Sequence, residues 1–229
     1  MQVAKIAVSS KLSGLVFGRK EISTDEKFPA LSFYNGNAQA YSDMTLGSDM
    51  DFSRRLFLPH VLQEGDILDL GSGSCRDSIK FKQLGYEVSA IDGAKKLAEV
   101  GTENVRKATG DTRFQVQTAL FQDMKFPRQF DGIWSMGALD HVPPKDMQDV
   151  LGRVVQSLKT GGTLGISLRE TRAKDIDGKP VFNYSRSLID RVVSLLGQKM
   201  SVLSHTINAD ARGRQDLFWH FLLLKKRVN

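Results

Sequence analysis

The chain has 229 residues, of which 41% are hydrophobic and 25% are charged. Its single cysteine excludes a disulfide framework and a multi-cysteine metal site, and it favours a reducing, cytoplasmic compartment. Ordinary glycine and proline usage excludes collagen-like and largely disordered chains, and no run of about 18 apolar residues occurs, which predicts no membrane span. The formal net charge of +6 would suit an anionic partner, but the basic residues are scattered among acidic ones, so nucleic acid is a less favoured partner.

The N-terminal part is predicted to consist of an extension at 1–33 and a helical segment at 34–60. Two short apolar runs in the extension could pair as a hairpin, cover a sheet edge or be partly mobile. In the second segment, residues that include Tyr34 and Tyr41 recur at spacings of three and four, which indicates a helix. A second helix could begin at Asp51.

From residue 66 the sequence alternates between apolar strand-like runs and helical patterns, which is typical of βαβ units and a parallel sheet. Seven strands are predicted, at 66–70, 87–91, 114–120, 130–135, 163–168, 202–207 and 219–225. Four helices are predicted, at 74–84, 94–107, 143–158 and 185–196. The last two strands have no helix between them and should pair antiparallel at one edge. The predicted fold is therefore α/β, a Rossmann-like doubly wound sheet of seven mostly parallel strands with an antiparallel last strand, formed by a domain at 61–229.

A glycine loop closes the first predicted strand and opens a helix. Gly71 and Gly73 allow a tight turn and let a ligand approach the free N–H groups of the helix start. Asp92 ends the next strand, 21 residues beyond Gly71, where nucleotide-binding α/β folds place the carboxylate that binds ribose hydroxyls. Dinucleotide sites prefer Gly or Ala at the position of Arg76, so we expect a nucleotide-like ligand without a pyrophosphate.

Residues 66–94, DILDLGSGSCRDSIKFKQLGYEVSAIDGA, resemble the first two motifs of class I S-adenosylmethionine-dependent methyltransferases. The resemblance covers about residues 33–226, and its other segments are FYNGNAQAYSDMT (33–45), FDGIWSMGALDHVP (130–143), LKTGG (158–162) and DLFWHFLLLKK (216–226). It implies the fold of that family, S-adenosylmethionine as the cofactor and methyl transfer as the activity. One departure is Cys75, which stands where the family usually has a third glycine and could narrow the pocket.

The resemblance also implies which residues hold the cofactor. The segment 34–60 would form a lid over the cofactor, although its tyrosines could equally pack in the core. Asp69 would organise the glycine loop or meet the ammonium group of the cofactor, and Asp123 would accept a hydrogen bond from the adenine amino group. The predicted cofactor-binding residues are Tyr34, Tyr41, Asp69, Gly71, Ser72, Gly73, Arg76, Asp92, Gly93, Ala94, Gln122, Asp123, Met124 and Met136.

His141 is the predicted catalytic residue. By resemblance it follows the fourth strand on the side where the family presents the acceptor, and an imidazole with a pKa near 6.5 can take a proton there. A packing role for this histidine remains open. His60, His205 and His220 lack metal-ligand spacing, so no metal site is predicted.

The methyl acceptor is predicted to be a small molecule. Three basic residues after the fifth strand, Arg169, Arg172 and Lys174, could bind an anionic group of the acceptor, although solvated loop charges are the favoured interpretation. An RNA base is the second candidate acceptor and a protein side chain the third. A non-catalytic scaffold that binds S-adenosylmethionine is the alternative to an enzyme, and the oligomeric state stays open.

Overall fold

The computed structural model describes residues 28–126, 128–170, 175–176, 178–182, 184–209 and 217–228. The hairpin or edge cover expected from the apolar runs of the extension lies outside the described residues, and so do Arg172 and Lys174. In the described part of the chain, no helix is long and apolar enough to cross a membrane.

A seven-stranded sheet forms the centre of the fold. Its strands are β1 (Asp66–Leu70), β2 (Glu87–Asp92), β3 (Gln117–Thr118), β4 (Phe130–Met136), β5 (Leu158–Glu170), β8 (Met200–Ala209) and β9 (Phe218–Lys226), while β6 (Asp175–Ile176) and β7 (Lys179–Pro180) form a separate antiparallel pair. The order is β3-β2-β1-β4-β5-β9-β8, with the first five strands parallel and β9 antiparallel to both of its neighbours. The predicted α/β sheet with an antiparallel last strand is confirmed.

The last strand, β9, inserts between β5 and β8. Its centre is apolar on both faces, with Phe221, Leu222, Leu223 and Leu224 all buried, which is typical of a strand covered on both sides. β8 is more polar and takes the edge position.

Helices cover both faces of the sheet. They are α1 (Pro29–Gly36), α2 (Ala38–Thr45), α3 (Asp51–Phe57), α4 (Arg76–Gln83), α5 (Lys95–Thr109), α6 (Met147–Ser157) and α7 (Arg186–Gly197), with 3₁₀ turns at Leu58–His60 and Leu139–His141. The helix predicted to begin at 143 starts only at Met147, because a residue that precedes a proline avoids the helical region and Pro143 precedes Pro144. α1 begins at Pro29, inside the predicted extension, with proline in the first turn where its missing N–H costs nothing.

The strand predicted at 114–120 pairs only at Gln117 and Thr118, which lie beside Ile91 and Asp92. The segment before it is extended, since Phe114 and Val116 are buried and alternate with exposed residues. Its backbone bonds elsewhere, however: the Val116 N–H donates to the Thr102 hydroxyl at 3.0 Å rather than to β2.

Two apolar layers enclose the sheet. One lies beneath α6 and α7, and the other surrounds the fully buried Trp134. Phe57 packs at a tilt against the indole and Phe81 edge-on to it, with ring centroids 4.9 and 5.7 Å away. Gly165 leaves room for the indole, since a Cβ there would lie 2.9 Å from its ring.

Candidate functional site

A cleft opens at the carboxyl ends of β1, β2 and β4, where open α/β sheets bind their ligands. The space between the lining residues, counted out to the open mouth, is about 690 Å³. Nine predicted site residues line it, namely Tyr34, Tyr41, Gly71, Gly73, Asp92, Gly93, Gln122, Met136 and His141. The other lining residues are Phe28, Ala30, Leu31, Leu97, Ala119, Leu120, Phe121, Gly137 and Ala138. The cleft wall is therefore mostly apolar, with a few polar groups at fixed places.

The glycine loop forms the floor of the cleft. Gly71 and Gly73 have φ values of +75° and +55°, a left-handed conformation that favours glycine. Gly71 also has no room for a side chain, because a Cβ there would lie 2.3 Å from the Cβ of Ala138. The N–H groups of Gly71 and Ser72 both donate to the carbonyl of Ile91, at 2.9 and 3.0 Å, and so tie the loop to the end of β2.

Asp92 holds the loop from the other side. One carboxylate oxygen accepts from the Gly73 N–H and the other from the Ala94 N–H, each at 2.9 Å. Burial, which leaves the residue 9% exposed, raises the pKa of the carboxyl, and these two N–H groups oppose the rise. Each oxygen keeps further acceptor capacity, so Asp92 can accept from a ligand in the cleft while it organises the loop.

His141 and Tyr34 meet across the cleft. The Tyr34 hydroxyl lies 2.9 Å from Nε2 of His141, and the two rings pack edge to face with centroids 5.3 Å apart. Burial lowers the pKa of His141 to about 4, rather than leaving it near the ordinary value expected from the sequence. Because burial also raises the pKa of Tyr34, both groups are neutral at pH 7 and the phenol can donate to Nε2.

Comparison with known proteins identifies the domain around this cleft. Residues 67–162, which contain the glycine loop, Asp92 and His141, match the family described as the methyltransferase domain. Over these residues the chain is therefore similar to a methyltransferase domain. This match agrees with the resemblance to class I S-adenosylmethionine-dependent methyltransferases that the sequence indicated for these residues.

Individual relatives agree with this assignment. An uncharacterized methyltransferase of Staphylococcus carnosus is 28% identical over 130 residues, 57% of this chain and 58% of that protein. A ubiquinone biosynthesis O-methyltransferase of Xanthomonas campestris pv. campestris is 32% identical over 101 residues, 44% of this chain and 41% of that protein. The chain thus spans about half the length of the curated relatives it matches.

Among solved structures, the 1,6-didemethyltoxoflavin-N1-methyltransferase of Burkholderia thailandensis has the same fold, with a TM-score of 0.65 at 17% identity. The match covers 90% of this chain and 92% of that one. That protein was solved with 1,6-didemethyltoxoflavin and S-adenosylhomocysteine bound.

Two charged residues predicted to bind the cofactor, Asp69 and Arg76, are not among the residues that line the cleft. Asp69 accepts from the Ser78 hydroxyl at 2.6 Å, and burial together with the nearby Asp77 raises its pKa to about 7. Arg76 lies 2.6 Å from the carboxylate of Asp77, which also binds Arg54. Asp69 is therefore bonded to Ser78 and Arg76 to Asp77, and their roles toward the cofactor stay predictions.

The other predicted residues that do not line the cleft stand beside it. Asp123 is exposed, Met124 is buried in the core, and Ala94 contributes the N–H that binds Asp92. Ser72 contributes the backbone bond to Ile91 described above. The adenine contact expected of Asp123 stays a prediction.

Cys75 adopts a left-handed conformation, with φ of +61°, directly before α4. Its side chain is fully buried and packs against Gly101 of α5, where a Cβ would lie 2.7 Å from the sulfur. Cys75 does not line the cleft, so the narrowing expected from the sequence is wrong. Burial also raises the pKa of the thiol, which disfavours a nucleophilic role.

Arg169 is buried and paired, in contrast to the solvated alternative. Its Nε and its backbone N–H both donate to the Asp140 carboxylate at 2.9 Å, and the guanidinium lies 5.2 Å from the ring centroid of Trp219. Asp140 balances its charge, so these surroundings do not favour an anionic acceptor over a neutral one.

The roof of the cleft, formed at the start of α1, was not predicted from the sequence. Phe28, Ala30 and Leu31 line it because α1 begins at Pro29 rather than at 34. The signal was present, since a proline at a helix start followed by apolar residues at helical spacing up to Tyr34 indicates an amphipathic helix.

His205 and His220, which are distant in sequence, lie on adjacent strands. His205 Nε2 is 2.9 Å from His220 Nδ1, and His220 Nε2 is 2.9 Å from a carboxylate oxygen of Glu170. In the part of the chain that the structure describes, no group of three or more histidine, cysteine, aspartate or glutamate residues could hold a metal ion.

Proposed function

We propose that this protein transfers a methyl group from S-adenosylmethionine to a small organic acceptor bound beneath α1, with His141 taking the acceptor's proton. The observation that carries the proposal is that the glycine loop, Asp92 and His141 line one cleft. A cofactor-binding floor and a proton-accepting group therefore face the same small volume.

The cleft residues fit S-adenosylmethionine. Gly73 has no side chain to project into the cleft, where an added Cβ would lie 3.5 Å from the Tyr41 ring. Asp92 presents a carboxylate suited to ribose hydroxyls, and Leu97, Leu120 and Phe121 provide apolar surface suited to a flat base. When bound, S-adenosylmethionine supplies an electrophilic methyl carbon on a sulfonium.

His141 would act on the acceptor rather than on the cofactor. At pH 7 it is neutral, and its Nε2 can accept the proton of a hydroxyl or an amine. A pKa of about 4 makes it a weak base, but the proton of the acceptor becomes more acidic as the new bond to carbon forms. The Tyr34 hydroxyl occupies Nε2 in this structure, so the acceptor must displace it or pass its proton through it.

A small acceptor suits the roofed, apolar cleft better than a polymer. α1 packs across α5 and β7, and Phe28, Ala30 and Leu31 at its start line the cleft. The similar ubiquinone biosynthesis O-methyltransferase and the structurally similar 1,6-didemethyltoxoflavin-N1-methyltransferase also carry names that indicate small-molecule chemistry in those proteins. Such a cleft holds the acceptor close to the methyl group and excludes water, which is the main requirement of a methyl transfer.

The test is incubation with methyl-labelled S-adenosylmethionine and a cell extract separated by size. We expect label in the low-mass fraction and a drop of about 10²–10⁴-fold in its rate for His141→Gln, with unchanged cofactor affinity by calorimetry. His60→Gln, at an exposed histidine, is the matched control.

Other outcomes would identify other functions. Label in RNA, with binding that weakens steeply with salt, would identify an RNA methyltransferase. Cofactor binding without transfer to any fraction would identify a scaffold protein. Absence of S-adenosylmethionine binding would refute the proposal.

A further inference from the structure

The outer side of β8 is a long open sheet edge. β8 pairs with β9 from Met200 to Ala209, and among the described residues no strand pairs with its other side. The opposite edge of the sheet is closed by β3, which has only two residues. Ten residues of edge strand present a row of backbone N–H and C=O groups that can pair with another strand.

The composition of β8 does not protect this edge. Natural edge strands are usually blunted by charged residues or proline, and β8, MSVLSHTINA, has neither. With 25% charged residues in the chain, ten residues would carry two or three charges on average. Val202, Leu203 and Ile207 are instead apolar and 44, 43 and 42% exposed.

One protective feature is present, but it is confined to one end. The register of β8 against β9 shifts between Val202 and Ser204, which marks a bulge. From Ser204 to Ala209 the pairing is regular, so six residues offer an undistorted edge.

We propose that β8 pairs antiparallel with β8 of a second copy of this chain, so that the two sheets join across a two-fold axis. In such an isologous contact the same surface serves both partners, and a copy of β8 always matches β8 in length. Because β8 carries no charge, the two copies can approach without like-charge repulsion along the strand, although each chain has a net charge of +6. None of its residues lines the methyltransferase cleft, so the pairing is independent of the proposed function.

The expected dimer is weak. One strand pairing buries less than the roughly 800 Å² per partner of a standard interface, so we expect dissociation in the micromolar range. Val202 and Ile207 pair with Leu224 and His220, which lie four residues apart and so on the same face of the sheet. The two apolar side chains therefore share one face of β8 and can contact those of the second copy in addition to the backbone pairing.

Light scattering at protein concentrations between about 1 and 100 µM tests the proposal, since this range brackets a micromolar dissociation constant. The wild-type mass should rise with concentration from 25.5 kDa toward twice that value. Ile207→Lys should stay monomeric, because the pairing would place a lysine of each copy at the joined edge. The matched control is Leu62→Lys, at a leucine that is 66% exposed and lies outside the sheet, and it should behave like the wild type. Thermal melting of both variants verifies that they fold.

Hydrogen exchange locates the contact. The amides of β8 should exchange more slowly in the wild type at high concentration than in Ile207→Lys. A wild type that remains monomeric would overturn the proposal, and slow β8 exchange in that monomer would indicate that another segment of the same chain covers the edge. A dimer that Ile207→Lys leaves intact would also overturn it.

Discussion

Replacement of Asp92 by alanine tests the double role of this residue in the loop and in the cleft. The substitution removes an acceptor from the N–H groups of Gly73 and Ala94, both held at 2.9 Å, and leaves them without their partner. From sequence alone, an acid at a strand end should carry little of the fold. The structure instead predicts that Asp92→Ala affects both stability and ligand binding.

The magnitude follows from those two bonds. Hydrogen bonds to a charged group each contribute about 1.5–3 kcal/mol, but burying the carboxylate has its own cost, which the raised pKa of Asp92 reflects. The free energy of unfolding should therefore fall by about 2–4 kcal/mol. The affinity for S-adenosylmethionine should fall by a similar amount, which corresponds to about 30- to 700-fold.

Two measurements separate these effects. Urea denaturation, followed by the fluorescence of the two tryptophans, of which Trp134 is fully buried, gives the free energy of unfolding. Calorimetry well below the variant's melting temperature gives the affinity. Glu87→Ala is the matched control, because Glu87 is an exposed acid at the other end of the same strand. It should change neither quantity.

Each half of the reasoning can fail separately. Lower stability with unchanged cofactor affinity would mean that Asp92 holds the loop but that the ribose binds elsewhere. Unchanged stability would refute the argument that its two backbone bonds support the fold.

Three further predictions concern the cleft and its surroundings. The pKa of His141 falls from about 6.5 in the unfolded chain to about 4 in the fold. Between these pH values only the unfolded chain binds the proton, so the free energy of unfolding of the wild type should decrease by up to about 3 kcal/mol as the pH falls from 6.5 to 4. His141→Gln should lack this loss in urea denaturation at several pH values, and equal pH slopes would contradict the argument. Cys75→Gly relieves the strain of a left-handed conformation, about 1 kcal/mol, but leaves a cavity beside Gly101. We therefore expect the free energy of unfolding to fall by about 1 kcal/mol and the cofactor affinity to stay unchanged. Lost activity with intact affinity would instead give the thiol a chemical role. Tyr34→Phe keeps the ring contact with Tyr41 but removes the hydroxyl that donates to His141. The free energy of unfolding should fall by about 1 kcal/mol, and the pKa of His141 measured by NMR should rise. An unchanged titration would show that the bond does not form in solution.

The parts of the fold that were predictable depend on short-range patterns. The strand, the Gly71–Gly73 turn, the following helix and Asp92 lie within about one βαβ unit, and each has a local signal in residue type and spacing. The parallel order of β1, β2 and β4 follows from the helices between them, and the antiparallel β9 follows from the absence of a helix after β8. Nine of the predicted site residues line one cleft because the carboxyl ends of parallel strands meet at one edge of the sheet.

Other features depend on contacts between residues that are distant in the chain. The extent of β3 was not predictable, because the Val116 N–H bonds to Thr102 on α5 instead of to the neighbouring strand. The orientation of Cys75 depends on Gly101, and the pKa of His141 depends on how deeply its surroundings bury it. The bond between Tyr34 and His141 joins residues 107 positions apart. Residue spacing carries no signal for such contacts; they exist only once the helices have packed on the sheet, and that packing determines which groups in the cleft are charged, paired or accessible to a ligand.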